Sequence, residues 1–372
     1  MNPKLIAFYL PQYYPVKENN EWFGEGFTEW TNVAKAKPLF RGHDQPRIPR
    51  DLGFYDLRLP EVRAKQADLA KEACIDAFCY YHYWFGEGKV MLEKPIQEVV
   101  RLGKPDFPFC LCWANHSWYR KLWNPNVKSI EQSILIKQTY PGEADIINHF
   151  NFLLPIFKDK RYFKVEERLL FVIYNILDIP NFTQFKTIWN KLALENGLPE
   201  FYFLANKVYV QDIDNKVFSE TDGTILSLHS NIQNKQDFSF TYKVKSKLRN
   251  KIADIINYPL SKYKYSDAIK YFLDPVCKRE DVIPVLTPNW DYTPRRGAGG
   301  LILTNATPAL FGEHIRQTFE MIQNKPEKKQ LVFIKSWNEW GEGNYMEPDL
   351  TYGKGYIEVL RKEVELVKKK IE

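Results

Sequence analysis

The 372-residue chain sets 52 Lys and Arg against 46 Asp and Glu, a formal charge of +6, and 44% of it is hydrophobic. That much apolar material supports a large core and excludes wholesale disorder, and a modest charge spread along the chain excludes the concentrated basic face of a nucleic-acid binder. No apolar run reaches the roughly 18 residues a transmembrane helix needs, and the opening MNPKLIAFYLPQYYP, interrupted by Pro and Gln, is a poor signal peptide. A cytoplasmic protein, with at most peripheral contact to the inner face of a membrane, is expected.

Taken in chain order, the first predicted strand, KLIAFYL, ends at Gln12 and Tyr13. The long loop after it holds FGEGFTEWTN, with Trp22, Glu25, Glu29 and Trp30. Such a loop either walls a cleft, with Trp30 as a stacking platform, or packs on itself. Pro60 opens a helix whose Val62, Leu69, Ala70 and Ala73 share a face. The second strand, IDAFCYY, leads to His82 and Tyr83; the third, FPFCLCW, leads to Asn115, His116 and Trp118. Cys110 and Cys112 in that third strand are read as reduced core thiols on opposite faces. The five cysteines are odd in number and match no metal-ligand spacing.

RLLFVIY ends at Tyr174 and Asn175, and a helix with Phe185, Ile188, Trp189 and Leu192 on one face follows, stopped at Gly197. FYFLAN closes on Asn206, and GTILSLH on His229. Residues 230–280 form a basic, tyrosine-rich insert, expected to be a helical cap on the fold or a dock for an anionic membrane surface or lipid-linked glycan. VIPVLTP then leads to Asn289, Trp290 and Asp291. A helix with Ile315, Phe319 and Ile322 together precedes the eighth strand, LVFIKSW, which runs into Asn338 and Glu339. The final helix aligns Ile357, Leu360, Val364 and Val367 and ends on lysines.

Continuously apolar strands separated by helices indicate a parallel sheet covered by helices. Eight such units predict an α/β fold, a single (β/α)8 TIM-type barrel over residues 1–372 with the insert before the seventh strand. No GxGxxG or Walker loop follows any strand, which argues against a doubly wound nucleotide-binding sheet. In a barrel the strand ends converge on one face. Eight sets of hydrogen-bonding and aromatic groups at that face suit a large polyhydroxy ligand, an oligosaccharide or polysaccharide.

The stretch FIKSWNEWGEGNYMEP, 333–348, concentrates acid there. In an uninterrupted strand Glu339 and Glu342 would point apart. Gly341 and Gly343 permit a turn that brings both carboxylates to one cavity. Two carboxyl groups flanking a scissile bond are what glycoside chemistry requires. Solvated loop acids are the alternative. Glu347 is expected further out, as a supporting or sugar-contacting acid. The histidines show no HxH or HxxxH spacing, so no metal and no cofactor is expected. The DID tripeptide at 212–214 is short enough to occur by chance.

SWNEWGEG…EP resembles the end-of-barrel motif of glycoside hydrolase family 99, the endo-α-mannosidase group. FYLPQYYPVKENNEWFGEGFTEWTNV through PLFRGHDQPRIPRDLGFYDLR is similar to its WbsX-like branch, and CYYHYWFGEG and CLCWANHSW extend the likeness over nearly the whole chain. That branch is associated with O-antigen and other surface-polysaccharide gene clusters and is often labelled glycosyltransferase. The resemblance implies a barrel with retaining chemistry on an α-linked, mannose-type sugar. It gives Glu339 the task of deprotonating the sugar 2-hydroxyl and Glu342 that of general acid, then base. One departure is Gly341, where a bulkier residue, typically His, often stands.

The expected sugar-binding residues are Gln12, Tyr13, Trp30, His82 and Tyr83 from the first two strand ends, and Asn115, His116 and Trp118 from the third. Asn206, Asn289, Trp290 and Asp291 come from later ends, with Asn338, Trp340 and Glu347 from the last. Two other readings stay open: a glycosyltransferase that builds lipopolysaccharide or O-antigen, and a glycan-binding barrel without catalysis.

Overall fold

The computed structural model describes residues 1–119, 134–207, 209–234 and 240–369. Parts of two sequence readings, the stretch 235–239 of the basic insert and the last lysine of the final helix, lie outside the described residues. The barrel strands are β1 (Lys4–Tyr9), β2 (Ala77–Trp84), β3 (Phe109–Trp113), β4 (Arg168–Ile173), β5 (Phe201–Lys207), β6 (Gly223–Leu226), β7 (Val282–Leu286) and β8 (Leu331–Ile334). Each pairs in parallel with its sequence neighbour, and β1 also pairs with β8, as in Lys4 opposite Leu331, so the sheet closes. Each of the eight apolar runs read from the sequence supplies one strand.

The longer helices are α1 (Pro60–Glu72), α2 (Lys94–Leu102), α3 (Glu143–Phe157), α4 (Phe182–Glu195), α5 (Phe240–Ile256), α6 (Pro308–Ile322) and α7 (Gly355–Lys369). Local chemistry sets their ends. The Asn181 side chain accepts from the Gln184 amide at 3.0 Å to cap α4, and Thr307 does the same for α6, with Pro308 in its first turn.

Alternation along each strand divides the core in two. Inside the barrel Phe8 stacks on Tyr81, with ring centroids 5.4 Å apart, and packs on Phe333. Outside it, Phe171 and Phe201 meet the fully buried Trp189 of α4. Period two corrects the reading of the thiols: Cys110 and Cys112 share a face, and both neighbour Cys79 inside the barrel. All five cysteines are free. Among the described residues no helix is long and apolar enough to cross a membrane.

Candidate active site

The chain beyond β8 makes a short hairpin. Asn338 and Glu339 pair antiparallel with Asn344 and Tyr345, and a single 3-10 turn, Trp340–Glu342, joins them. Side chains three apart in a 3-10 turn eclipse one another, so Glu339 and Glu342 emerge on the same side. Gly343 ends the turn at φ +57°, and a Cβ there would press on Asp291 and Arg47. Gly341 serves differently. Its φ is unremarkable, but a Cβ on it would collide with a carboxylate oxygen of Glu29. The space where the resemblance leads one to expect His is filled from the loop after β1.

One guanidinium gathers these acids. Arg295, on the short helix Thr293–Arg296 after β7, donates from Nη1 to Glu339 at 2.9 Å and to Glu342 at 2.6 Å. Its Nε donates to Glu29 at 2.8 Å. Burial works against the Arg295 charge, but Glu29, Glu342 and Glu339 hold its pKa above the ordinary arginine value. Three carboxyl groups share this one guanidinium, so the set of four side chains is formally acid-rich.

Tyr81 and Tyr83 on β2, and Tyr174 just beyond β4, lie close enough for their phenols to feel the charges of that set. Burial first, then the charge of Glu339, raises the phenols of Tyr81 and Tyr83; for Tyr174 the charges are Glu342 and Glu339. All three remain protonated at neutral pH, so each hydroxyl can donate as well as accept a hydrogen bond. Trp118, half-buried, packs edge-on to Tyr83, and the exposed His116 ring lies 5.3 Å from Tyr174. The half-buried Asn206, with an unsatisfied buried Oδ1, stands on the interior-facing register of β5 with Tyr202 and Leu204. Gln12 is half-buried, and its carbonyl accepts the Glu29 amide at 3.0 Å.

Other expected sugar contacts turn out to support the site. Tyr13, fully buried, donates to the Asn338 carbonyl at 2.5 Å and accepts from the Trp340 amide at 3.1 Å. Asn338 bonds both backbone groups of Leu10. Trp30 is no stacking platform. It donates to the Tyr55 carbonyl at 2.7 Å and is enclosed by Tyr13, Tyr55 and Trp340. Glu347 lies inward rather than further out, accepting from Gln66 at 2.6 Å, Trp340 at 2.7 Å and Tyr55 at 2.9 Å. Burial pushes its pKa up to about 7.

Asp291 is likewise committed to protein partners. His43 and Gln45 meet its Oδ2 at 2.8 and 2.7 Å, Thr293 meets Oδ1, and its amide donates to the Glu342 carbonyl at 2.7 Å. Burial alone would raise its pKa, but the His43 hydrogen bond and the Arg47 charge hold it below the usual aspartate value. Asn289 accepts from Arg47 and the Trp290 amide, and Trp290 packs on His229. Asn115 is fully buried, tied to Tyr140 and to the backbone of Asn175. His82 points away from the barrel interior, its Nε2 2.9 Å from that of His149 on α3, and burial lowers its pKa to about 3.

Arg295 was not legible in the sequence, because nothing in TPRRGAGG marks one arginine as a hub. Tyr81 was hidden in an aromatic run on a strand of unknown facing.

The profile of the family described as "Glycosyltransferase WbsX" matches residues 5–360. Two proteins of Xanthomonas campestris pv. campestris, each described as "Uncharacterized protein WxcX", are similar along 96% of this chain: one from strain B100 at 33% identity, the other at 34%. The chain spans about half the length of these curated relatives, 49% of each. Among solved structures it superposes on a GH99 endo-alpha-mannosidase from Bacteroides thetaiotaomicron with a TM-score of 0.52 at 15% identity, covering 98% of this chain and 96% of that one. A structure titled "Glycoside hydrolase-like protein" superposes with a TM-score of 0.59 at 12% identity, covering 98% and 94%. Those two likenesses carry the fold: a (β/α)8 barrel. The profile match, which runs through the carboxylate turn, carries the family: this chain belongs to the family described as Glycosyltransferase WbsX.

Proposed function

We propose that the chain acts on α-glycosidic, mannose-type bonds of a bacterial surface polysaccharide, free or lipid-linked, by a retaining two-carboxylate mechanism. Glu339 activates the sugar 2-hydroxyl, and Glu342 protonates the departing oxygen and later removes a proton from the incoming hydroxyl. The observation that supports this most is the shared Arg295 nitrogen. Two carboxylate oxygens bound to one nitrogen are close neighbours, which favours the closer spacing of a retaining pair over the wider gap an inverting pair leaves for water. The acid-rich cluster would stabilise positive charge growing on the sugar ring, and Tyr81, Tyr83 and Tyr174 supply hydroxyl partners. Arg295, holding both acids, would fix their orientation.

Cleavage and transfer use the same machinery and differ in whether water or a sugar hydroxyl attacks. The family's description as glycosyltransferases favours transfer as the second reading. Mass spectrometry of products, with the host's polysaccharide offered alone and with nucleotide sugars, separates them: a shortened glycan means hydrolysis, an extended one transfer. Glu339→Gln and Glu342→Gln should each lower turnover by at least about a thousandfold while still binding glycan. Undiminished turnover in both would refute the catalytic pair. Binding without turnover in the unaltered protein would make it a glycan-binding barrel.

A further inference from the structure

Helix α5 is turned inside out. An ordinary surface helix buries its apolar stripe and shows its charges to water, as α7 does by burying Ile357, Leu360 and Val364. On α5 the side that meets the protein carries Ala253, fully buried, and Asp254, paired with Arg296 at 2.8 Å. The opposite side carries Val244, Leu248, Ile252, Ile255 and Ile256, exposed to 50%, 57%, 41%, 71% and 53%. Their spacing of three and four residues makes one continuous stripe. Such a surface on a soluble monomer marks an interaction site.

The charge around the stripe indicates what covers it. From Phe240 to Lys264 the sequence holds seven lysines and arginines and one acid, a net of +6. The whole chain is also +6, so all other residues together sum to zero. Lys247 and Lys251 are exposed along one edge of the stripe, and Lys264 is exposed beyond the helix. An apolar stripe edged by lysines on an exposed helix is the arrangement that lies in the plane of a bilayer surface. We propose that α5 docks the protein on an anionic membrane surface, its apolar stripe among the acyl chains and its lysines at the headgroups.

The docked helix adjoins the candidate site. It packs on the turn Gly297–Gly299, and its Asp254 holds Arg296, the residue after Arg295. The barrel mouth would therefore stand beside the bilayer. This inference does not depend on the catalytic assignment.

Sedimentation of the full chain with vesicles tests it. Vesicles of phosphatidylcholine mixed with phosphatidylglycerol should carry the protein down, phosphatidylcholine alone should carry little, and high salt should release most of it. Lys247→Gln with Lys251→Gln should weaken partition roughly thirtyfold, since each lysine at such a surface is worth about a factor of five. Leu248→Ser with Ile255→Ser should weaken it on the order of a hundredfold. Both variants should melt like the parent and turn over a soluble glycan at the parent rate, so a failure here is distinct from a failure of the catalytic reading. Vesicle binding indifferent to lipid charge and to both substitutions would overturn the proposal. So would a parent that ignores vesicles but sediments as a dimer that Leu248→Ser with Ile255→Ser dissociates, because the stripe would then cover a second copy.

Discussion

At the scale of single residues the site turns on a pairing between a missing side chain and a long one. Gly341 leaves the volume that the Glu29 carboxylate fills, and Arg295 ties that carboxylate to Glu339 and Glu342. Gly341→Ala should cost about 1–3 kcal/mol through overpacking. Most of that loss should return in Gly341→Ala combined with Glu29→Ala, a coupling readable from a double-mutant cycle of thermal melts. Arg295→Lys should lower kcat/KM by about a hundredfold, because a point charge cannot serve three carboxylates from two edges of a planar fork. Steady-state kinetics on the soluble glycan would show it. The pair Glu339 and Glu342 was legible from spacing and flanking glycines. Glu29 appeared as one of two equal options for its loop. Arg295 could not be seen, since its contact with Glu29 joins residues 266 positions apart.

At the scale of elements, strand facing decides what each barrel end offers. His82 and Tyr83 are adjacent on β2, so only one of them can enter the barrel interior. Both faces of that strand are aromatic, which leaves the facing undetermined in the sequence; the structure sends Tyr83 toward the carboxylates and His82 toward α3. The carboxylate turn is held from beneath by Glu347, and this makes it sensitive to pH. A carboxyl raised from its usual 4.5 to about 7 holds a proton in the folded chain over a range where the unfolded chain has lost it. Its contribution, about 3 kcal/mol, is fully present below pH 4.5 and lost as pH rises through 7. Thermal melts at pH 5 and pH 8 should show that loss in the parent and a flatter profile in Glu347→Gln. The opposite sign holds at Asp291, whose depressed pKa stabilises the fold above the normal aspartate range and ceases to do so in acid. Asp291→Asn should cost about 3–5 kcal/mol, because it leaves the loop carrying His43 and Arg47 without its buried anion.

For the whole molecule, the alternation of apolar strands with helices was enough to recover the barrel, because each strand is buried on both faces and reads as an unbroken apolar run. The loops were less readable. The segment between β1 and α1 contributes Glu29 to the carboxylates and His43, Gln45 and Arg47 to the struts behind them, by contacts that follow from closure of the sheet. Stability and chemistry should separate on this scaffold. Trp189→Ala, which empties the aromatic layer between β4, β5 and α4, should cost about 3–5 kcal/mol in denaturant titrations with little change in kcat/KM.

The thiols offer a clock for the barrel itself. Cys79, Cys110 and Cys112 sit on β2 and β3 inside the closed sheet, whereas Cys74, at the end of α1, is half-buried. An alkylating reagent can take the last without disturbing the staves but can reach the other three only when neighbouring staves part. Peptide mapping over the course of such a reaction would show Cys74 labelled early and then record at these three thiols, separately from buried Cys277 on the 3-10 turn before β7, how often the barrel springs open.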